Sequence, residues 1–393
     1  MNQTLTFILA LIKSVLTESP LPKAPDGLDW RVVYQLCSVH NVANIIAYAL
    51  SGGDYEVPAE ILQAFIQRMH VDAVLDAQQQ AAAEEIFAKL SQKGLDYMPT
   101  KGFLLKKMYP ATDLRRMSDI DILTRKELWE TYRDAMLEMG YTFTKNKENE
   151  YVFKKGLITV ELHRYLITPG NDDLCAYYET GWSIARPEDG VRYKLRDEDE
   201  YVYIVAHFAK HYRNAGAGIK PILDIWLYPK HHPALDWEYI RTQLASMKLL
   251  EFFEHLLQLI AVWFENAEPD DLTISMSKYI LNSGEYGSTH HSAAANAVTA
   301  AETGKKRSRL RRYLWLLFPD KTIMHNKYPI LKRIPVLLPV FWVYRIFYTL
   351  FWNRGKIAEQ QATINAGSGS NADQFRAHMD AVGLDVLKGR KDL

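Results

Sequence analysis

The apolar residues of this chain change their period twice, and that change restricts the fold more than any composition figure does. Up to about residue 92 they recur at helical spacing in Leu5–Leu16, Trp30–Leu50 and Ile61–Leu90. Pro/Gly-bearing breaks separate these runs at Pro20–Gly27 and Ser51–Pro58. From Gly94 the runs shorten and alternate. LDYMPTKG reads as a strand entering a glycine turn, Phe103–Tyr109 as a short helix, and Asp119–Thr124 as a strand. Lys126–Met139 reads as a helix ended by Gly140. Tyr141–Lys145, Tyr151–Lys155 and Leu157–Leu166 follow with period two, Lys154–Gly156 making a hairpin turn. Beyond Leu166 helical spacing returns.

The fold class this predicts is α+β, a small mixed-sheet core at residues 93–168 between helical regions at 1–92 and 169–355. In the second helical region the expected helices are Glu198–Tyr212 capped by Asp197, Ile222–Tyr228, Trp237–Met247, Leu249–Phe264, Thr273–Leu281, Arg307–Leu317 and Leu338–Phe351. Residues 288–304, small and polar, read as a loosely held loop. Residues 356–393 read as a linker and tail, because Gly367–Ser370 is GSGS.

Forty-seven basic residues balance 47 acidic ones, so no global field favours a nucleic-acid partner. Two cysteines far apart, Cys37 and Cys175, exclude a disulfide framework and a cysteine-based zinc site, and suit a reducing cytosol. The N-terminal apolar run has no cationic segment ahead of it and no small-residue cleavage site. It reads as an amphipathic helix and the protein as cytoplasmic.

The chemistry concentrates in Lys101–Leu123, KGFLLKKMYPATDLRRMSDIDIL. On a strand, Asp119 and Asp121 project to one face while Ile120 and Ile122 enter the core. Two carboxylates so close raise each other's proton affinity unless a cation sits between them, and their oxygens suit Mg²⁺ or Mn²⁺. A third carboxylate, Glu161, shares a strand face with Thr159 and His163 in LITVELH. Such a trio can hold the cations that activate an attacking oxygen and neutralise a transferring phosphoryl group. Lys101–Gly102 at a strand-to-helix turn could approach phosphate. Arg115 and Arg116 are either phosphate partners or loop cations balancing the acidic strand.

A glycine turn, a helix, an Asp-hydrophobic-Asp strand and a later carboxylate together resemble the polymerase-β-like nucleotidyltransferase superfamily. More narrowly, KGFLLKKMYP, RRMSDIDIL and VELHRYL are similar to a bacterial family described as uncharacterised nucleotidyltransferases. So are DWRVVYQLCSVHNVANIIAYAL, HFAKHYRNAGAGIKPILDIWL and RLRRYLWLLFPDKTIMHNKYP, which extends the resemblance over residues 1 to about 355. The resemblance implies transfer of a nucleoside monophosphate from an NTP, ATP among them, to an acceptor, with pyrophosphate leaving. The acceptor would be a small molecule, glycan intermediate, peptide or carrier. On that mapping Asp119 and Asp121 bind both metals, and Glu161 binds the activating one and serves as general base. Lys101, Gly102, Arg115, Arg116 and Ser118 then surround the nucleotide phosphates. The superfamily usually has Gly-Ser or Gly-Gly at the turn where this chain has Lys101–Gly102. Two other readings stand beside transfer: a catalytically silent nucleotide-binding or regulatory protein, and a toxin-like enzyme that modifies tRNA or a partner protein.

His207 and His211, four apart on a helix, share a face. They read as helix packing, as acceptor or nucleotide contacts joined by Asp224, or as zinc ligands, although the neighbouring glutamate of a zinc-protease motif is missing. His163 belongs near Glu161, for proton transfer or for a hydrogen bond to a carboxylate. Lys305–Arg312, KKRSRLRR, reads as a solvated helix face or as a contact for a phosphate-bearing partner, either lipid headgroups or nucleic acid. Ile334–Trp352 reads as packing, interfacial membrane docking or a span interrupted by Pro335, Pro339 and Arg345. Together, residues 305–352 suggest peripheral membrane contact.

Overall fold

The computed structural model describes residues 3–146, 149–167, 174, 177–178, 180–285, 287–302, 318, 321, 324, 328, 330–352 and 369–385. The chain is mixed α+β, with one seven-stranded sheet among helices. The N-terminal region forms α1 (Gln3–Leu16), α2 (Trp30–Val39), α3 (Ala43–Gly52) and α4 (Ala59–Gln92). The run expected as one helix over Trp30–Leu50 is divided at His40–Val42, where Asn41 takes a left-handed conformation (φ 56°).

The α4 helix is 34 residues long, about 50 Å. Phe65, Asp72, Gln79, Ala83, Ile86 and Leu90 are buried along it at heptad-like spacing, so one stripe faces the protein throughout. Three polar residues along α4 hold the loop that precedes the acidic strand. Asp76 accepts from Lys106 Nζ (2.6 Å) and from the Thr112 hydroxyl (2.7 Å). Gln79 donates to the Met117 carbonyl, and Asp72 meets Arg116 at 3.3 Å.

The sheet is built from β1 (Tyr97–Pro99), β2 (Ile120–Thr124), β3 (Thr142–Asn146), β4 (Glu150–Lys155), β5 (Ile158–His163), β6 (Arg186–Asp189) and β7 (Arg192–Lys194). Its order is β3-β4-β5-β2-β1-β7-β6. The α5 turn (Gly102–Leu105) follows β1 and α6 (Trp129–Glu138) follows β2. Gly156, at φ +60°, makes the expected hairpin turn between β4 and β5. Ile120 and Ile122 of β2, Val160 and Leu162 of β5, and Tyr151 and Phe153 of β4 join Ile86, Leu90, Tyr132 and Met136 in one apolar cluster. That cluster fixes which sheet face is left for chemistry.

The β6–β7 hairpin falls where only helix was expected. Its strands are short and charged, and β7 is added to the sheet by parallel pairing with β1. Helices then follow as α7 (Asp197–Asn214), α8 (Lys220–His231), α9 (Trp237–Ser246), α10 (Leu250–Phe264) and α11 (Asp271–Leu281). Asp197 is the first residue of α7, not its cap. The expected loop at 288–304 contains α12 (Thr289–Glu302), whose alanines favour helix although they give little amphipathic signal. Farther along the chain, beyond a single turn at Ile330–Arg333, is α13 (Leu338–Trp352). The segment read as linker and tail contributes α14 (Gly369–Ala381), with Phe375, Met379, Val382 and Leu384 buried in the main core. The KKRSRLRR run and the helix expected at Arg307–Leu317 lie outside the described residues.

Candidate functional site

The β2 and β5 strands run parallel, with Asp121 beside Glu161 and Leu123 beside His163. Alternation sends their isoleucine, valine and leucine neighbours into the cluster under α4 and α6, and leaves Asp121, Glu161 and His163 on the opposite face. His163 Nε2 lies 2.6 Å from Asp121 Oδ1 and 3.8 Å from Glu161 Oε2. One ligating atom from each of the three lies within 4.8 Å of the others. Asp119 stands one residue ahead of β2, half-buried and outside this trio.

Lys101 approaches the trio from the β1–α5 turn, donating from Nζ to Asp121 Oδ1 at 2.7 Å. Its backbone sits at φ 51°, ψ −125°, a region natural to glycine. A non-glycine residue held there costs about 1–3 kcal/mol, and such strain gathers at functional sites. A β-carbon on Gly102 would fall 2.8 Å from Arg115 Nη1 and 2.9 Å from Met117 Sδ. Close packing therefore requires glycine at 102, whatever binds there.

Burial disfavours the charge on Asp121, but Lys101 and His163 outweigh it and hold the carboxyl well below its usual range. Asp119 goes the other way. Desolvation and then the charge of Asp121 raise its proton affinity, against Lys101 and Lys220. Burial also favours neutral His163, helped by Lys101 and opposed by Asp121.

The structure places the remaining predicted residues in three groups. Arg115 and Asp224 are joined to each other: the guanidinium donates from Nε and Nη2 to the two carboxylate oxygens, both at 2.7 Å, and the Tyr109 hydroxyl adds a bond at 2.9 Å. Arg116 lies 3.3 Å from both Asp72 and Asn41, while Ser118 is exposed beside Asp119. His207 and His211 form an edge-on pair with centroids 4.5 Å apart on α7. The charge of Lys101 bears on both rings and that of Asp121 on His211, so the pair stands within electrostatic reach of the carboxylates. Burial, then His211 and Lys101, hold His207 well below the ordinary imidazole range. A groove of about 690 Å³ between residues 21–30 and 53–58 contains none of these groups.

A family model of uncharacterised nucleotidyltransferases matches residues 26–265, more than half of the chain. The chain belongs to that family. The match takes in the turn, the carboxylates, both histidines of α7 and Asp224, and it is narrower than the 1–355 span suggested by resemblance. No curated protein and no solved structure gives a significant match. Membership supports nucleotidyl transfer as the function of this nucleotidyltransferase, and the Asp121–Glu161–His163 trio is able to bind a metal.

Two further residues border the site without having been singled out in the sequence. Glu150, on β4, pairs across the ladder with His163, whose Nδ1 lies 3.7 Å from its carboxylate. The alternation extends to it, one residue before the expected start of the β4 run at Tyr151. Lys220, the first residue of α8, is ion-paired to Glu285, donates to the Arg116 carbonyl at 3.0 Å, and adds positive charge near Asp119.

Proposed function

We propose that this nucleotidyltransferase moves a nucleoside monophosphate from an NTP to an acceptor hydroxyl, with Asp121, Glu161 and His163 holding a divalent cation. The observation that carries the reading is the parallel register of β2 and β5, which sets these side chains around one point in a chain of this family. Two carboxylates and an imidazole suit one divalent ion, and the nitrogen donor favours Mn²⁺ over Mg²⁺. A second ion, as in two-metal transfer, would draw on Asp119, whose proton affinity is raised first by burial and then by the charge of Asp121. When bound, the cation would neutralise charge on the transferring phosphoryl group and ease ionisation of the acceptor hydroxyl.

The chain's own residues supply the rest. The acceptor oxygen forms a bond to the α-phosphorus while the bond to the bridging oxygen breaks. Pyrophosphate leaves, and the acceptor proton passes to Glu161. Lys101, with Arg116 and Ser118 on the neighbouring loop, meets the triphosphate as positive charge and hydrogen-bond donors. Arg115 and Asp224 shape that loop from beneath. His207 and His211 border the acceptor side. A reducing cytoplasm suits an enzyme whose Cys37 is a buried free thiol.

The test is incubation with each α-labelled NTP, Mg²⁺ or Mn²⁺ and cell extract, followed by identification of what carries label. Label on a small molecule, glycan intermediate, peptide or carrier, reduced by about 10³-fold or more in Asp121→Asn, supports the reading. Label on tRNA or on a partner protein supports the toxin-like alternative. Metal-dependent NTP binding with no labelled acceptor supports the catalytically silent one.

A further inference from the structure

Outside the family match, α13 and the turn before it expose a continuous apolar strip. Val336 (80% exposed), Val340 (60%), Val343 and Tyr344 stand on the surface, and Pro339 is exposed between them. From residue 336 their spacing is +3, +4, +7 and +8, which is one face of a helix. Ile330 and Ile334 are exposed just upstream. The neighbouring positions Phe341 and Trp342 are half-buried against the preceding segment, Phe341 tilted on Tyr328 (4.9 Å between centroids) and Trp342 edge-on to Phe318 (5.5 Å). One side of this helix therefore meets aromatic residues just upstream in the chain, and the other presents apolar groups to the surroundings.

Charge identifies the surroundings. The chain is neutral overall, yet residues 303–356 carry thirteen Lys and Arg and one acidic residue, Asp320. They also carry eleven aromatic residues, the type enriched where a bilayer meets water. We propose that this apolar strip rests in the headgroup boundary of an anionic phospholipid bilayer, to which the net positive charge of the surrounding sequence draws it. At 15 residues α13 is about 22 Å long, short of the hydrocarbon thickness. No helix among the described residues is long and apolar enough to cross a membrane. Lying in the interface plane is the arrangement left to a helix of this length and pattern. A protein partner would be served by the apolar strip alone, and a nucleic acid by the cations alone. An anionic bilayer uses both at once.

The experiment is flotation of the full chain with vesicles of pure phosphatidylcholine and of phosphatidylcholine with a third phosphatidylglycerol. The expected result is flotation only with the anionic vesicles, weakened by high salt. It should fall by at least about tenfold in a Val336→Asp/Val340→Asp variant. Both positions are exposed, so thermal unfolding of that variant should match the wild type and separate lost docking from lost fold. The proposal is overturned if the wild type stays at the bottom of the gradient with anionic vesicles, or if the variant floats as well as the wild type. It is also overturned if the strip instead drives self-association or the chain binds nucleic acid without vesicle binding. None of these results depends on nucleotidyl transfer, so labelling and flotation can fail independently.

Discussion

Two buried ion pairs meet near the loop that leads into β2, and they are built differently. Arg115–Asp224 is closed: a two-pronged guanidinium, two carboxylate oxygens and the Tyr109 hydroxyl satisfy one another, with Arg115 and Asp224 8% and 3% exposed at the side chain. Lys101–Asp121 is open: a single ammonium reaches one carboxylate oxygen, His163 shares that oxygen, and Lys101 keeps 21% exposure. A closed pair resists exchange of partners and so acts as scaffold. An open pair on a strained backbone, beside Glu161 and His163, can give up part of its coordination to a ligand.

Removing one partner of a buried, fully bonded pair strands the other charge, at about 3–5 kcal/mol. Urea unfolding of Asp224→Ala should show a loss of that size, whereas Asp121→Asn should lose less than half as much because Lys101 can turn toward water. Equal losses would erase the distinction between the pairs.

Glu200 extends the comparison to a buried carboxyl with an oxygen lacking any hydrogen-bond partner among the described residues. Burial, and to a smaller degree Asp197, push it up to about 8 from an ordinary value of 4.5. Between those two values the unfolded chain has released this proton and the folded chain still holds it. The contribution of Glu200 to stability is therefore intact below about pH 4.5 and is lost as pH rises toward 8, by an amount on the order of a few kcal/mol. Stability measured across that window in Glu200→Gln should lack this fall. A slope unchanged by the substitution would remove the burial argument.

The smallest effect concerns the strained turn. Lys101→Gly and Lys101→Ala both delete the ammonium, but only glycine accepts φ 51° without cost. The glycine variant should be the more stable of the two by about 1 kcal/mol in chemical denaturation. An alanine variant as stable as the glycine one would mean that the backbone carries no strain.

These contrasts also show what the sequence could reveal. The sheet core and its carboxylates were legible because alternation is local: one residue of spacing decides a face, as in Asp121 and Glu161. The β6–β7 hairpin was not, because strands of four and three mostly charged residues owe their place to the β1 edge and not to their own pattern. Arg115 reads as a phosphate partner or a loop cation because its carboxylate partner, Asp224, lies 109 residues away. The residues of α4 that hold Arg116, Lys106 and Met117 were hidden for the same reason. Distance in sequence, more than weakness of signal, separates the contacts that local pattern reveals from those it does not.

The central claim is that the open pair belongs to a cation site and the closed pair does not. Titrating Mn²⁺ into wild type, Asp121→Asn and Asp224→Asn while following the free-ion electron paramagnetic resonance signal tests it directly. The account predicts binding by wild type, with nitrogen coupling from His163, its loss in Asp121→Asn, and its retention in folded Asp224→Asn. Undiminished binding in Asp121→Asn would contradict it.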